Sequence, residues 1–298
     1  MKRRALLVVV VPLAGCAGLI GASFDDAHLG ADAHEDDGAA EGAAFDVIPQ
    51  DVAPEVDAAF DPASLPNLAL WLDATFGVDL TDAGTGRVAR WHDRSAYARD
   101  AVPVGAGTNP PSLVPASLGG NSVVHFTSAA LDLLESAWSG PGVAELTMFL
   151  VTRGLPNSAV RFQTSSGAYP FLIFPLNYNL PDAAAPSFHF AVGLTSTFDL
   201  QIDLDGSASV ATARWRSDGT ASTFLDGELV EQRIAASPTL PSGQTLYIGG
   251  TLPLLAPPQT TIPFADGDVA EIVVYAAALA DADRAAVEAY LRQKWGLP

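Results

Sequence analysis

The sequence predicts an all-β domain, a sandwich or barrel of antiparallel strands carrying one helix at its C-terminus. Three observations lead there. From Pro66 onward, short apolar runs recur at roughly even spacing between Gly, Pro, Asn and Asp, the signature of many short strands joined by turns. Asp226-Gly227 stands between Phe224-Leu225 and Leu229-Val230, and a two-residue turn of that composition closes a hairpin because a type I′ turn needs positive φ. After residue 280 the apolar period changes from strand-like to helical.

The elements follow in order. Strands are expected at 67–75 (NLALWLDAT), 87–93 (RVARWHD), 122–128 (SVVHFTS), 145–153 (ELTMFLVTR), 169–174 (YPFLIF) and 187–194 (SFHFAVGL). Further strands are expected at 198–204 (FDLQIDL), 208–216 (ASVATARWR), 221–233 (the hairpin), 244–250 (QTLYIGG) and 269–275 (VAEIVVY). In the first, Leu68, Leu70 and Leu72 share one face, with Ala69, Trp71 and Asp73 on the other. The run Leu146 to Val151 is apolar on both faces except at Thr147, as a central strand requires. The helix opens on Asp281 and Asp283, ends on Arg292 and Lys294, and is stopped by Gly296, with each charge placed to complement the helix dipole. Val287, Leu291 and Trp295 form its apolar stripe, with Tyr290 beside them. That stripe is expected to lie against the sandwich and cover an edge or an end of it.

The N-terminus predicts export. Lys2, Arg3 and Arg4 precede an apolar run from Ala5 to Ala14. That run is about half the roughly 20 residues needed to span a bilayer, so it reads as a signal peptide over 1–15. Leu13-Ala14-Gly15-Cys16 resembles the lipobox of bacterial lipoproteins, and Cys16 is the only cysteine. The resemblance implies lipid attachment at Cys16, with the lipid bilayer as partner. Ala17 follows where some bacteria use Asp for inner-membrane retention, which implies residence at the outer membrane or cell surface. The single thiol leaves none for an intrachain disulfide.

Residues 16–63 are expected to be an acidic disordered tether ahead of a folded domain at 64–298. The stretch 24–62 holds twelve carboxylates, no Lys or Arg, and no sustained apolar period. Losing three basic residues with the signal takes the formal charge from −19 to −22. Such a surface repels phosphate backbones, so nucleic acid is disfavoured as a partner.

The opening LALWLDAT…GRVARWHDRSAYARDA and the closing LYIGG…FADGDVAEIVVYAAALADADRAAVEAYLRQKWGL resemble the concanavalin A-like superfamily, and within it the laminin-G-like domains of bacterial surface proteins. STFLDGELV is similar to the family's late Asp-Gly hairpin. The resemblance implies a two-sheet antiparallel jelly-roll sandwich over residues 66–298, a concave face often used for glycans, and in some members a structural Ca²⁺. For that ion the aspartates to name are Asp73, at the end of the first strand, and Asp268, entering the last. First and last strands are commonly neighbours in the family, which would bring the two together.

Catalytic signatures are missing. Glycoside hydrolases on this scaffold need two carboxylates flanking the scissile bond, and no strand here alternates Glu, Asp and Glu as theirs do. Asp199, Asp203 and Asp205 lie on one acidic strand and read as solvent-facing. There is no G-x-S-x-G and no H-E-x-x-H. His125 and His189 each sit in a strand beside phenylalanine and read as hydrogen-bonded structural residues.

For a sugar one looks for aromatic rings beside charged or amide groups. Trp91, His92, Asp93, Arg94 and Tyr97 form the densest such cluster, and Arg214 and Arg216 share a strand face. Trp71 and Trp91 also belong to the fold's own motifs, where a core role competes. The expectation is a non-catalytic, surface-displayed module binding a glycan or another envelope component. The alternatives are a structural or adhesive surface protein with a protein partner, and a glycoside hydrolase with an atypical site.

Overall fold

A computed structural model describes residues 60–298, apart from 106, 139–141, 156–159, 165–171, 178–186, 193–199, 204–205, 235–239, 241 and 251–265. For the strands between 155 and 205 only backbone pairing is described. The signal peptide, Cys16 and nearly all of the expected tether lie outside the described residues, as do the side chains of His189, Asp199, Asp203 and Asp205.

Two antiparallel sheets build the domain. The first has eight strands. In spatial order it runs β15 (Glu228–Ile234), β14 (Thr220–Leu225), β13 (Ser209–Trp215), β8 (Leu146–Leu155), β17 (Asp266–Tyr275), β6 (Asn121–Phe126) and β5 (Ser112–Leu118), with β1 (Leu68–Asp73) also paired to β17. The second has seven: β12 (Leu200–Asp203), β11 (Ser187–Val192), β10 (Leu172–Asn177), β9 (Val160–Thr164), β16 (Gln244–Ile248), β7 (Leu134–Trp138) and β4 (Val102–Pro103). A small ribbon joins β2 (Val78–Leu80) to β3 (Val88–Trp91). The one helix of more than a single turn among the described residues is α1 (Asp281–Trp295). The expected β-sandwich with a C-terminal helix is therefore the fold.

All eleven expected strand regions contain a strand, and the hairpin turns through Asp226 and Gly227 at φ 50° and 95°, the positive pair its sequence calls for. Five further strands have weak sequence signals. β2 and β4 are very short. β5 contains Pro115 and a kink at Ala116 with φ 51°, which hides its period. β7 (LESAW) and β9 (VRFQT) mix apolar and polar residues too evenly to stand out.

Side-chain alternation divides the first sheet into two faces. Leu70, Leu72, Met148, Leu150, Ile272 and Val274 point between the sheets, opposite Leu134, Leu246 and Ile248 of the second, and all are fully buried. Gly249 follows β16 so close to Phe126 that an added Cβ would lie 2.1 Å from the ring.

The helix covers the outer face of the first sheet, where an edge or an end of the sandwich was expected. Contacts from β13, β14 and β17 fix it there. Thr212 donates a hydrogen bond to Glu288 at 2.7 Å, and Arg214 donates to Asp281 at 2.6 Å. Arg284 stacks on Phe224 at 3.8 Å, and Trp295 donates to Glu271 at 2.7 Å. This is why β8 is apolar on both sides: one faces the second sheet and the other faces α1.

The N-terminal boundary moves as well. Phe60 and Pro62, assigned to the tether from sequence, pack on the domain: Phe60 meets Tyr290, and the Pro62 carbonyl accepts from the buried Tyr275 hydroxyl at 2.9 Å. A chain starting at Ser64 leaves that hydroxyl without its acceptor. It is expected to be about 1–3 kcal/mol less stable than one starting at Pro54, read from paired urea melts; coincident melts would return Phe60 and Pro62 to the tether.

Candidate functional site

The segment 92–101 runs from beside β1, in the first sheet, to β4 in the second, and Asp93 organises it. Its two carboxylate oxygens accept from the amides of Trp71, Ser95 and Arg99 and from the Ser95 hydroxyl, at 2.6–2.8 Å. One short acid thus folds the loop and clamps it to β1. His92 lies between two carboxylates, with Nε2 2.9 Å from Asp79 and Nδ1 3.2 Å from Asp100. Arg90 also reaches Asp100 at 3.2 Å.

Two aromatic rings remain outside this clamp. Phe76, in the turn after β1, is 55% exposed, and Tyr97, on the loop, is 57% exposed, high for large aromatic rings. Each has a guanidinium beside it that also lies against a buried tryptophan. Arg94 is 4.8 Å from the Phe76 ring and 3.6 Å from Trp71; Arg99 is 4.4 Å from Tyr97 and 4.1 Å from Trp138. Cation–π contacts of this kind hold a ring in place without burying it. The result is a pair of preorganised aromatic surfaces.

Behind the loop, under α1, lies a buried polar cluster. Glu271 accepts hydrogen bonds from the indoles of Trp71 and Trp295 at 2.6 and 2.7 Å and from Lys294 at 2.6 Å. Lys294 also pairs with Asp73 at 2.7 Å, and Asp73 takes Arg94 at 2.6 Å. Burial, then the Asp73 charge, push Glu271 above the usual carboxylate range, against the pull of Lys294. Burial also raises Asp73, but the Lys294 ammonium and the Thr75 donors outweigh it and hold that carboxyl low. These are two neighbouring carboxylates, the raw material of a glycosidase. Both are closed off from solvent, and both are tied to one ammonium, so this pair is out of a substrate's reach.

The residues singled out from sequence thus separate. Trp91 is fully buried in the core. Asp93 and Arg94 build the loop, while His92 and Tyr97 reach its surface. Arg214 is buried beneath the start of α1, donating to the Leu279 carbonyl as well as to Asp281, so it anchors the helix. Arg216 lies just past β13, where its backbone closes the turn to Thr220. Asp73 and Asp268 are not brought into one cluster. β1 does pair with β17, but Asp73 stands opposite Glu271, beyond a bulge from Asp268. Asp268 is held instead by His125 at 2.8 Å and by Arg153, which gives His125 the structural role expected of it. Among the described residues, no group of three or more His, Cys, Asp and Glu side chains is placed to hold a metal ion. Phe76 is not among the residues singled out from sequence. Its one signal there is a large ring in the turn Thr75-Phe76-Gly77, where burial has no neighbours to work with.

No protein-family model matches the chain, and no curated protein matches its sequence. Solved structures match its shape. A GH54 α-L-arabinofuranosidase soaked with a cyclic sulfate inhibitor gives a TM-score of 0.51 at 11% identity, covering 77% of this chain and 60% of that one. The likeness is one of fold. The binding domain of botulinum neurotoxin serotype G gives 0.50 at 11% identity, covering 78% of this chain and 54% of that one. This chain therefore spans little more than half the length of either. In all, 207 solved chains match, and a fold so widely used does not by itself name a ligand.

Proposed function

We propose that the chain is a non-catalytic binding module of the concanavalin A-like type, displayed at a bacterial surface by a lipid on Cys16, and that it binds a glycan. The observation that carries this reading is two exposed rings, Phe76 in the turn after β1 and Tyr97 on the loop that Asp93 clamps to β1. An exposed apolar ring has a hydration cost that a ligand can relieve, and the apolar C–H face of a pyranose or furanose ring suits a flat aromatic surface. The arabinofuranosidase and the toxin domain lend support only in that such sandwiches serve enzymes and binding domains alike. The Asp73–Glu271 pair, being buried, does not serve as a glycosidase's two carboxylates.

Binding to a panel of immobilised polysaccharides tests the module. At least one polymer is expected to retain the protein, and Phe76→Ala and Tyr97→Ala are each expected to weaken retention by about tenfold, a loss of roughly 1.4 kcal/mol. Both side chains are more than half exposed, so the variants should melt as the parent does. Failure of every polymer to bind would move the reading to a protein-binding surface protein.

Anchoring is tested separately. Cys16→Ser is expected to shift the protein from the membrane fraction to soluble or unprocessed forms, because several acyl chains at about 0.8 kcal/mol per buried CH₂ are lost together. Unchanged partition into the detergent phase would remove the lipid from the account.

A further inference from the structure

We infer that β15 is a self-pairing edge through which two copies of this chain associate. Among the described residues β15 ends the first sheet, paired with β14 on one side and with no strand on the other. An open edge is a template for another chain, and proteins commonly blunt it with Pro, Lys or a very short strand. β15 has seven residues, with neither Pro nor Lys among them. Its bulge lies at Val230, beside the hairpin turn, and Glu231 to Ile234 pair regularly with β14. Six large apolar side chains are exposed among the described residues, and three stand on this strand: Leu229 at 55%, Val230 at 44% and Ile234 at 77%.

The occupant follows from the order Val230-Glu231-Gln232-Arg233-Ile234. A second copy brought to the edge by a two-fold rotation lies antiparallel to the first, and opposite residues then share a face. With Gln232 on the axis, Val230 stands opposite Ile234, Glu231 opposite Arg233, and Gln232 opposite itself. Apolar side chains meet on one face and opposite charges on the other, each pair occurring twice. Within one chain Arg233 already donates to Glu231, so two copies close a ring of four alternating charges. Moving the axis by one residue sets Glu231 or Arg233 against its own copy, and like charges directly opposite are destabilising. The register is thus specified. A foreign apolar strand would leave both charges without counterparts. Isologous pairing also consumes both edges, so assembly stops at two copies.

The test uses the full chain carrying Cys16→Ser, which has neither a lipid site nor a thiol. Sedimentation velocity from about 1 to about 300 μM spans the weak affinities of a small interface. The expected result is a concentration-dependent dimer. Glu231→Arg or Arg233→Glu alone sets like charges opposite each other twice, and should raise the dimer Kd by about tenfold. An equimolar mixture of the two variants recreates complementary pairs and should dimerise as the parent does. Gln232→Cys, then the sole thiol, lies opposite its own copy at a Cα spacing of about 4.5–5.5 Å, within reach of a disulfide. Mild oxidation should link it faster than Ala83→Cys, at an exposed position off this strand. A monomer across the whole range would overturn the inference. So would a dimer indifferent to both charge variants, a mixture that stays monomeric, or equal linking at 232 and 83. The glycan reading is decided separately, by its own panel of polymers.

Discussion

Replacing Trp295 by alanine is expected to cost about 3–5 kcal/mol, the range for deleting a large buried aromatic side chain. The ring is fully buried in the main core cluster, and its indole N–H donates to Glu271 at 2.7 Å. Truncation therefore opens a cavity and removes one of the donors that make a buried carboxylate tolerable. Domains are typically stable by about 5–15 kcal/mol, so the variant should sit near the threshold of folding. Trp295→Phe separates the two contributions, since it keeps most of the volume and loses the donor. Its cost should be smaller, about 1–3 kcal/mol. Urea midpoints of the two variants measure this, and equal midpoints would mean that the donor to Glu271 matters more than the packing.

Lys294→Met is expected to be comparably damaging, at about 3–5 kcal/mol, because it removes the ammonium shared by two buried carboxylates. Its signature is a dependence on pH. Without Lys294, Glu271 is pushed further above its unfolded value, and a carboxyl raised by folding destabilises most at pH values above that folded value. Asp73 loses part of the pull that holds it low, so the stability it contributes above its unfolded value shrinks. Both effects fade once the carboxyls are protonated in the folded and unfolded states alike. The gap between variant and parent should therefore be widest near neutrality and narrow as the pH falls through the carboxylate range. Adding Glu271→Gln to Lys294→Met should recover part of the loss at neutral pH. A gap that stays constant with pH would show that Lys294 acts through its aliphatic stem alone.

Both variants act through α1, and α1 shows where sequence reasoning succeeds and where it stops. Its start at Asp281, its basic last turn and its left-handed stop at Gly296 (φ 65°) are legible, because caps and dipole complements are made within a turn of the chain. The buried stripe of Val287, Leu291 and Trp295 is legible too, since 3.6-residue periodicity is local. The surface beneath the stripe is not. Glu271 in VAEIVVY looks from its neighbours like an outward residue of a half-exposed strand. It is buried because Trp71, 200 residues earlier, and Trp295, 24 residues later, supply its donors.

The candidate site divides in the same way. The density of aromatic and charged residues at 91–97 marks the right loop, because composition is local, but it does not say which side chains face water. That depends on the Asp93 clamp to β1 and on the two buried tryptophans supporting Arg94 and Arg99. Trp91 goes inward, while Phe76 arrives from a different turn.

By itself, the sequence determined the fold class, the strand-rich middle, the Asp226-Gly227 hairpin and the terminal helix. It did so because propensity, turn chemistry and apolar period all act over a few residues. Only the tertiary structure decided which face α1 covers, that Asp73 stands opposite Glu271 and not Asp268, and that Arg214 is a buried anchor while Phe76 and Tyr97 stay exposed. Those outcomes depend on strand order and register, which bring together residues up to 213 positions apart, and on the desolvation of charges, whose cost is settled only by the partners that close around them.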